Sequence, residues 1–232
     1  MSDAGTAGPR QDAVFGRRKG HALRKHQAAL IENLLPRLKL DLSAPAPDPA
    51  RLFATPVTQV WLEIGFGGGE HLAWQAEQNP DIGFLGCEPF INGVAKLLAE
   101  IERRDLANIR IHDGDAREAL DWLPDASIGR VFVLHPDPWP KRRHWKRRFI
   151  GPDNLDRLAR VMAQGAELRI ASDWPDYLDW MLRLLVPHPA FVWTARWASD
   201  WRARPADWPE TRYEAKAIRE GRMPAYLIFR RV

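Results

Sequence analysis

A chain of 232 residues, 45% of them hydrophobic, has the size of one globular domain with a substantial buried core. Its single cysteine, Cys87, excludes an intramolecular disulfide and a cysteine-based metal site, and points to a reducing setting. The net charge of +4 is unevenly spread: residues 141 to 148 hold six cations and no acid, residues 10 to 26 hold six cations against Asp12, and the remainder is net acidic. Such concentration suits a phosphate backbone bound on one face better than a generally cationic surface. No stretch has the apolar length of a signal peptide or a membrane span, so a soluble, cytoplasmic monomer is the expectation.

Residues 1 to 16 are small and polar and are expected to form a disordered tail. Over residues 17 to 40, Leu23, Leu30, Ile31, Leu34 and Leu35 recur at helical spacing, which predicts a basic N-terminal helix ending near Pro36. Pro45, Pro47, Pro49 and Pro56 make residues 41 to 56 a stiff linker. From residue 57 to 232 runs the main domain. VTQVWLEIG, IGFLGCE, NIRIHDGD, IGRVFVLH and AELRIASD read as strands, and they alternate with predicted helices over 69–79, 91–103, 116–122 and 152–162. That alternation predicts an α/β fold with a mostly parallel, doubly wound sheet. Two more strand-like segments, FVWTARWA and AYLIFRRV, bring the expected strands to seven, with a polar stretch containing TRYEAK between them.

The first strand runs into LEIGFGGGEH, where Gly65, Gly67, Gly68 and Gly69 lie between a strand and a helix. Glycine is needed where a chain turns sharply or a ligand touches backbone. A dinucleotide fingerprint would want glycine at position 70, but Glu70 stands there, a poor neighbour for a pyrophosphate. Glu63 at the head of the run would instead welcome a cation, such as the amino group or sulfonium of S-adenosylmethionine. Glu88 ends the second strand, where an acid can accept from both ribose hydroxyls, and Asp115 follows the third, placed to accept from an adenine amino group. Each alone reads equally well as a surface carboxylate; three at successive strand ends beside a glycine turn read as a site.

The fourth strand ends in LHPDPWPKRRHWKRRF, where Pro136, Pro138 and Pro140 stiffen the exit around Asp137 and Trp139. A fixed carboxylate and an aromatic ring thus abut a polyanion-binding surface. The competing reading is a solvated basic loop, against which the proline frame argues. Trp139 and Trp145 lie among the cations, where stacking on a base competes with core packing. Asp173 ends the fifth strand, and either caps the next helix or joins Asp137. Seven scattered histidines without helical pairing, among them His135, predict no metal site.

LEIGFGGGEH, GCEPFINGVA, HDGDA, HPDPWPKRRHWKRR, ASDW and TRYE together resemble the bacterial tRNA (guanine-N7)-methyltransferase family, from about residue 17 to the C-terminus. The PDPWPK run with its basic continuation is highly specific, whereas the glycine loop is shared by all Rossmann-like methyltransferases. The resemblance implies a Rossmann-like S-adenosylmethionine-dependent methyltransferase fold and methyl transfer to N7 of a guanine in the tRNA variable loop. It implies that Glu63, Glu88, Asp115 and Asp137 contact S-adenosyl-L-methionine with Gly65, Gly67 and Gly69, Asp137 being also the active-site residue. It further implies that Lys141 and Asp173 bind substrate, that Thr211, Arg212, Tyr213 and Glu214 form a substrate motif, and that Arg143, His144, Trp145, Lys146, Arg147 and Arg148 contact tRNA. His135 departs from the pattern, since the family often has phenylalanine there. The alternatives are a methyltransferase acting on an exocyclic amine of RNA, which would want a different arrangement around Asp137, and a non-catalytic RNA-binding module, which would have no need of the three cofactor acids.

Overall fold

Among residues 18–232, which the computed structural model describes, helix α1 (Lys25–Asn33) is the first regular element; the tail expected over residues 1 to 16 lies outside the described residues. The predicted N-terminal helix is shorter than its apolar spacing suggested. Residues 18 to 24 are irregular and are held by hydrogen bonds, with Ile91 N–H donating to Arg18 O and Gly20 N–H to Asn92 Oδ1. Pro36 falls at the second position of a one-turn helix, α2 (Leu35–Leu38), where a missing N–H costs nothing. The chain then runs beside the third strand, Leu40 N–H donating to Ile111 O at 2.8 Å, so an otherwise open sheet edge is partly covered.

The main domain is a seven-stranded sheet in the order β3-β2-β1-β4-β5-β7-β6. Five adjacent strands from the β3 edge inward, β1 (Gln59–Ile64), β2 (Ile82–Cys87), β3 (Ile109–His112), β4 (Ile128–Leu134) and β5 (Met162–Ser172), are all parallel. Helices α3 (Glu70–Gln78), α4 (Ile91–Arg104), α5 (Ala116–Trp122) and α6 (Pro152–Val161) link them. Both sheet faces are covered, which is why these strands are apolar runs rather than alternations, β2 being buried throughout. One core layer centres on Leu62, Leu85, Val131 and Leu168, the other on Leu72, Phe84, Leu97 and Phe132.

Beyond β5 the chain departs from the alternation seen in the sequence. Pro175–Leu185 forms a helix, α7, that buries Tyr177, Met181 and Leu185 at four-residue spacing, with Pro175 in its first turn. FVWTARWA pairs only over β6 (Phe191–Trp193). After Thr194 the backbone N–H groups of Arg196 and Trp197 turn to Asp200 Oδ2 at 2.8 and 2.9 Å, and a short helix, α8 (Ser199–Arg202), follows. TRYEAK is helical too: Thr211 caps α9 (Arg212–Arg219) by accepting from Glu214 N–H. Strand β7 (Ala225–Arg231) then inserts antiparallel between β5 and β6. Among the described residues no helix is long and apolar enough to cross a membrane.

Candidate functional site

The carboxyl ends of β1, β2, β3 and β4 open into one cavity of about 500 Å³, the place where open α/β sheets hold ligands. Gly65, Gly67, Glu88, Asp115 and Asp137 all line it, so four strand ends distant in sequence converge as expected. The turn after β1 carries Gly65, Gly67 and Gly69 at φ of 71°, 57° and 77°, a region side-chain-bearing residues rarely adopt. It is also tightly packed, because a Cβ on Gly93 at the start of α4 would meet Gly67 O at 2.1 Å.

Glu88 is buried, and its carboxylate accepts from Gly67 N–H at 2.7 Å and from Phe90 N–H at 2.9 Å. Burial pushes its carboxyl up, and the two backbone donors offset only part of that. Asp115 caps α5 by accepting from Arg117 N–H and pairs with the Arg117 guanidinium. Burial raises its carboxyl, but the Arg117 hydrogen bonds outweigh this and hold it below the usual range. Glu63 does not reach the cavity wall. It lies behind the glycine turn with Oε2 2.6 Å from His71 Nδ1, and Gln75, adjacent to His71 Nε2, donates to Asp207 O.

Asp137 differs from these acids in having no hydrogen-bond partner among the described residues. No described residue donates to its carboxylate, and partial enclosure pushes its carboxyl up. His135 and Trp139, the residues two before and two after it, adopt φ of 49° and 43°. Paired left-handed non-glycine residues are uncommon and mark a backbone held in place by its surroundings. The donor set fits S-adenosylmethionine: Glu88 keeps lone pairs for hydroxyls, the glycine turn leaves room for a methionine backbone, and Asp137 faces the cavity with uncompensated negative charge that suits a sulfonium.

The basic run folds as a 3-10 helix over Arg142–Arg147 that borders the cavity through Lys146 and Arg147. Lys141, Arg142, Arg143 and Lys146 are exposed. Arg147 lies 4.9 Å over the Trp139 ring and His144 meets that ring edge-on, so Trp139 is a wall of the cavity. Arg148, which the resemblance places among the RNA contacts, lines the cavity but is enclosed by aromatic rings. Its side chain is 1% exposed, stacks 4.7, 4.8 and 5.3 Å from Trp145, Tyr177 and Trp180, and donates to Pro138 O and Asp176. Trp145 packs on Trp180 in the same cluster, so it fastens the basic segment to α7 instead of offering a free face to a base.

Within the TRYE motif the two outer residues are buried, and of the two inner ones Tyr213 faces the cavity. Thr211 is the buried cap of α9, and buried Glu214 accepts from Tyr226 Oη and pairs with Arg204. Tyr213 lines the cavity, its Oη 2.9 Å from where a Gly67 Cβ would be, while Arg212 pairs with Glu70 at 3.3 Å. Glu70, the residue that breaks the dinucleotide pattern, thus anchors α9 over the glycine turn. Asp173 is not the cap of α7, a position held by Trp174. Instead it bonds His135 and Arg222, residues far apart in the chain. Nothing in the spacing pointed to His71 or Arg222, whose partners are set by packing, while Arg117 meets Asp115 two residues away at the cap of α5. Among the described residues no three His, Cys, Asp or Glu side chains are grouped to hold a metal ion.

Comparison with known proteins agrees with this geometry. A family model described as a putative methyltransferase matches residues 57–226. A tRNA (guanine-N(7)-)-methyltransferase of Chelativorans sp. (strain BNC1) is 55% identical over 95% of this chain and 96% of its own, and one of Rhizobium meliloti (strain 1021) is 56% identical over 95% of each. Among solved structures, an rRNA methylase from Streptococcus thermophilus superposes with a TM-score of 0.52 at 9% identity, covering 75% of this chain and 87% of that one. TrmN from Thermus thermophilus gives the same TM-score at 15% identity over 85% of this chain and 52% of its own. At such identities the likeness speaks for the fold alone.

Proposed function

Because the chain belongs to the tRNA (guanine-N(7)-)-methyltransferase family, we propose that it transfers the methyl group of S-adenosylmethionine to N7 of a guanine in the variable loop of tRNA. The observation that carries this reading is the position of Asp137, an acid without a donor, between the glycine-turn cavity and the exposed cations Lys141, Arg143 and Lys146. S-adenosylmethionine supplies an electrophilic methyl group on a sulfonium; the chain's own residues bind, orient and exclude water.

In this reading Glu88 accepts from the ribose hydroxyls and Asp115, shared with Arg117, accepts from the adenine amino group. Glu63 holds His71 in the first turn of α3, the helix that follows the glycine turn. Guanine N7 has an in-plane lone pair and no proton to lose, so the reaction calls for alignment and desolvation more than for a general base. The base becomes cationic as the bond forms, and the Asp137 carboxylate stabilises that charge. Lys141, Arg143, His144, Lys146 and Arg147 hold the RNA backbone in register.

Unmodified tRNA incubated with the protein and S-adenosylmethionine should yield 7-methylguanosine by mass spectrometry of the nucleosides. Borohydride and aniline cleavage should then mark its position. Methyl groups found only on N1, N2 or N6 would overturn the reading.

A further inference from the structure

His135 stands at the end of β4, 7% exposed at its side chain, with φ of 49°. Its backbone N–H still donates to Ala171 O at 2.8 Å, so pairing with β5 continues one residue past the strand while the left-handed turn redirects the chain. Its Nδ1 lies 3.2 Å from Asp173 Oδ1, and Asp173 Oδ2 accepts from Arg222 Nε. Burial pushes the Asp173 carboxyl up, but the hydrogen bonds from Arg222 and His135 outweigh it, and the group is held below the usual range. An ionised carboxylate only accepts, so Nδ1 carries the hydrogen, and in the uncharged tautomer this sets, the lone pair is on Nε2. His135 lines the cavity beside Asp137; Asp173 does not. Nε2 makes no hydrogen bond among the described residues.

We propose that His135 is the residue that reads the guanine, its Nε2 accepting from the N1–H and amino edge of the base, and that Asp173 is a positioning residue that fixes the ring's tautomer. This rests on the functional reading above. The edge is a donor edge in guanine, whereas adenine presents an acceptor at N1, so a lone pair there selects between the purines. It also acts on the rate. As N7 gains its methyl group the ring becomes cationic and N1–H more acidic, so a hydrogen bond to Nε2 strengthens as the transition state is approached. An imidazolium would fail on both counts, having no lone pair and a like charge. Asp173 does not line the cavity, so the contact with the base falls to the ring it holds.

Arg222 makes the idea testable. In Asp173→Asn the amide must turn its oxygen to the Arg222 donor, which points its NH2 group at Nδ1 and forces the hydrogen onto Nε2, the wrong tautomer. Removing that donor in Asp173→Asn/Arg222→Ala frees the amide to rotate and accept from Nδ1–H again. The experiment is steady-state methylation of tRNA, scored as 7-methylguanosine, together with ¹⁵N NMR of the His135 ring and a thermal melt of each variant. His135→Phe should lower kcat about tenfold with cofactor affinity and melting point little changed, and His135→Gln, which keeps an acceptor, should lose less. Asp173→Asn should lower kcat by a similar factor and move the ring hydrogen to Nε2, and the double variant should recover both rate and tautomer. Unaltered kcat in His135→Phe, or a rate loss in Asp173→Asn with the ring hydrogen still on Nδ1, would overturn the proposal alone. Absence of 7-methylguanosine from the wild-type reaction would overturn the functional reading and this proposal together.

Discussion

Glu88 Oε2 accepts from the backbone N–H of Gly67 at 2.7 Å, so the acid at the end of β2 and the glycine turn after β1 form one unit. The side chain that meets the cofactor also holds the loop that receives it. Glu88→Ala should therefore lose cofactor binding and also stability, by about 1–3 kcal/mol, since two backbone donors are left bare. Glu88→Gln should keep more of the stability and still weaken cofactor binding about a hundredfold. Calorimetric titration beside thermal melts separates the two effects. A raised folded carboxyl means that this group favours the folded state most in acid and less as pH rises through the folded value. Cofactor affinity, which needs the carboxylate, should move the other way, falling as pH is lowered from neutral toward the ordinary value of 4.5, and starting above it.

Asp137→Asn should reduce turnover by roughly 10²–10³ with tRNA affinity within about threefold and cofactor affinity lowered by a smaller factor than turnover, because the missing charge meets the sulfonium and matters most as the base becomes cationic. The wild-type carboxyl is pushed up by enclosure, so kcat should decline as pH falls through a value above 3.8, and that limb should be absent in the variant. Single-turnover rates across pH decide this.

Reversing Arg143 and Lys146 to Glu should weaken tRNA binding and flatten its salt dependence by roughly 0.7–0.9 of a log unit per lost contact per decade, with the melting point unchanged. Arg148→Met should do the reverse. It removes a guanidinium sandwiched among Trp145, Tyr177 and Trp180 and should cost about 2–3 kcal/mol in stability. Chemical denaturation and filter binding of both variants test the division between an outer face that meets RNA and an inner face that holds the segment down.

Tyr213→Ala should weaken S-adenosylmethionine binding about tenfold and leave tRNA affinity nearly unchanged, because the ring covers the glycine turn. Arg212→Ala should act in the same direction by releasing α9 from Glu70. Weakened tRNA binding with intact cofactor affinity would return both residues to the RNA side.

Much of this protein was written in local pattern. Apolar runs ending in Gly65, Glu88, Asp115 and Asp137 announce parallel strands with a ligand at their carboxyl ends, because strand burial and turn chemistry act over a few residues. The basic run and the TRYE motif were equally visible. What the pattern could not hold is direction. Arg148 and Arg143 are the same residue type five positions apart, yet one is enclosed by Trp145, Tyr177 and Trp180 and the other is exposed, and only the packing of α7 decides between them. TRYEAK is too polar to declare a helix from its apolar spacing, and becomes one because Thr211 caps it and Glu214 and Ala217 are buried. His135 and Asp173 are 38 residues apart and Asp173 and Arg222 are 49. No spacing rule links such residues; they meet because β4 and β5 are neighbours in register and β7 returns antiparallel beside them, bringing Arg222 to the carboxyl end of the sheet.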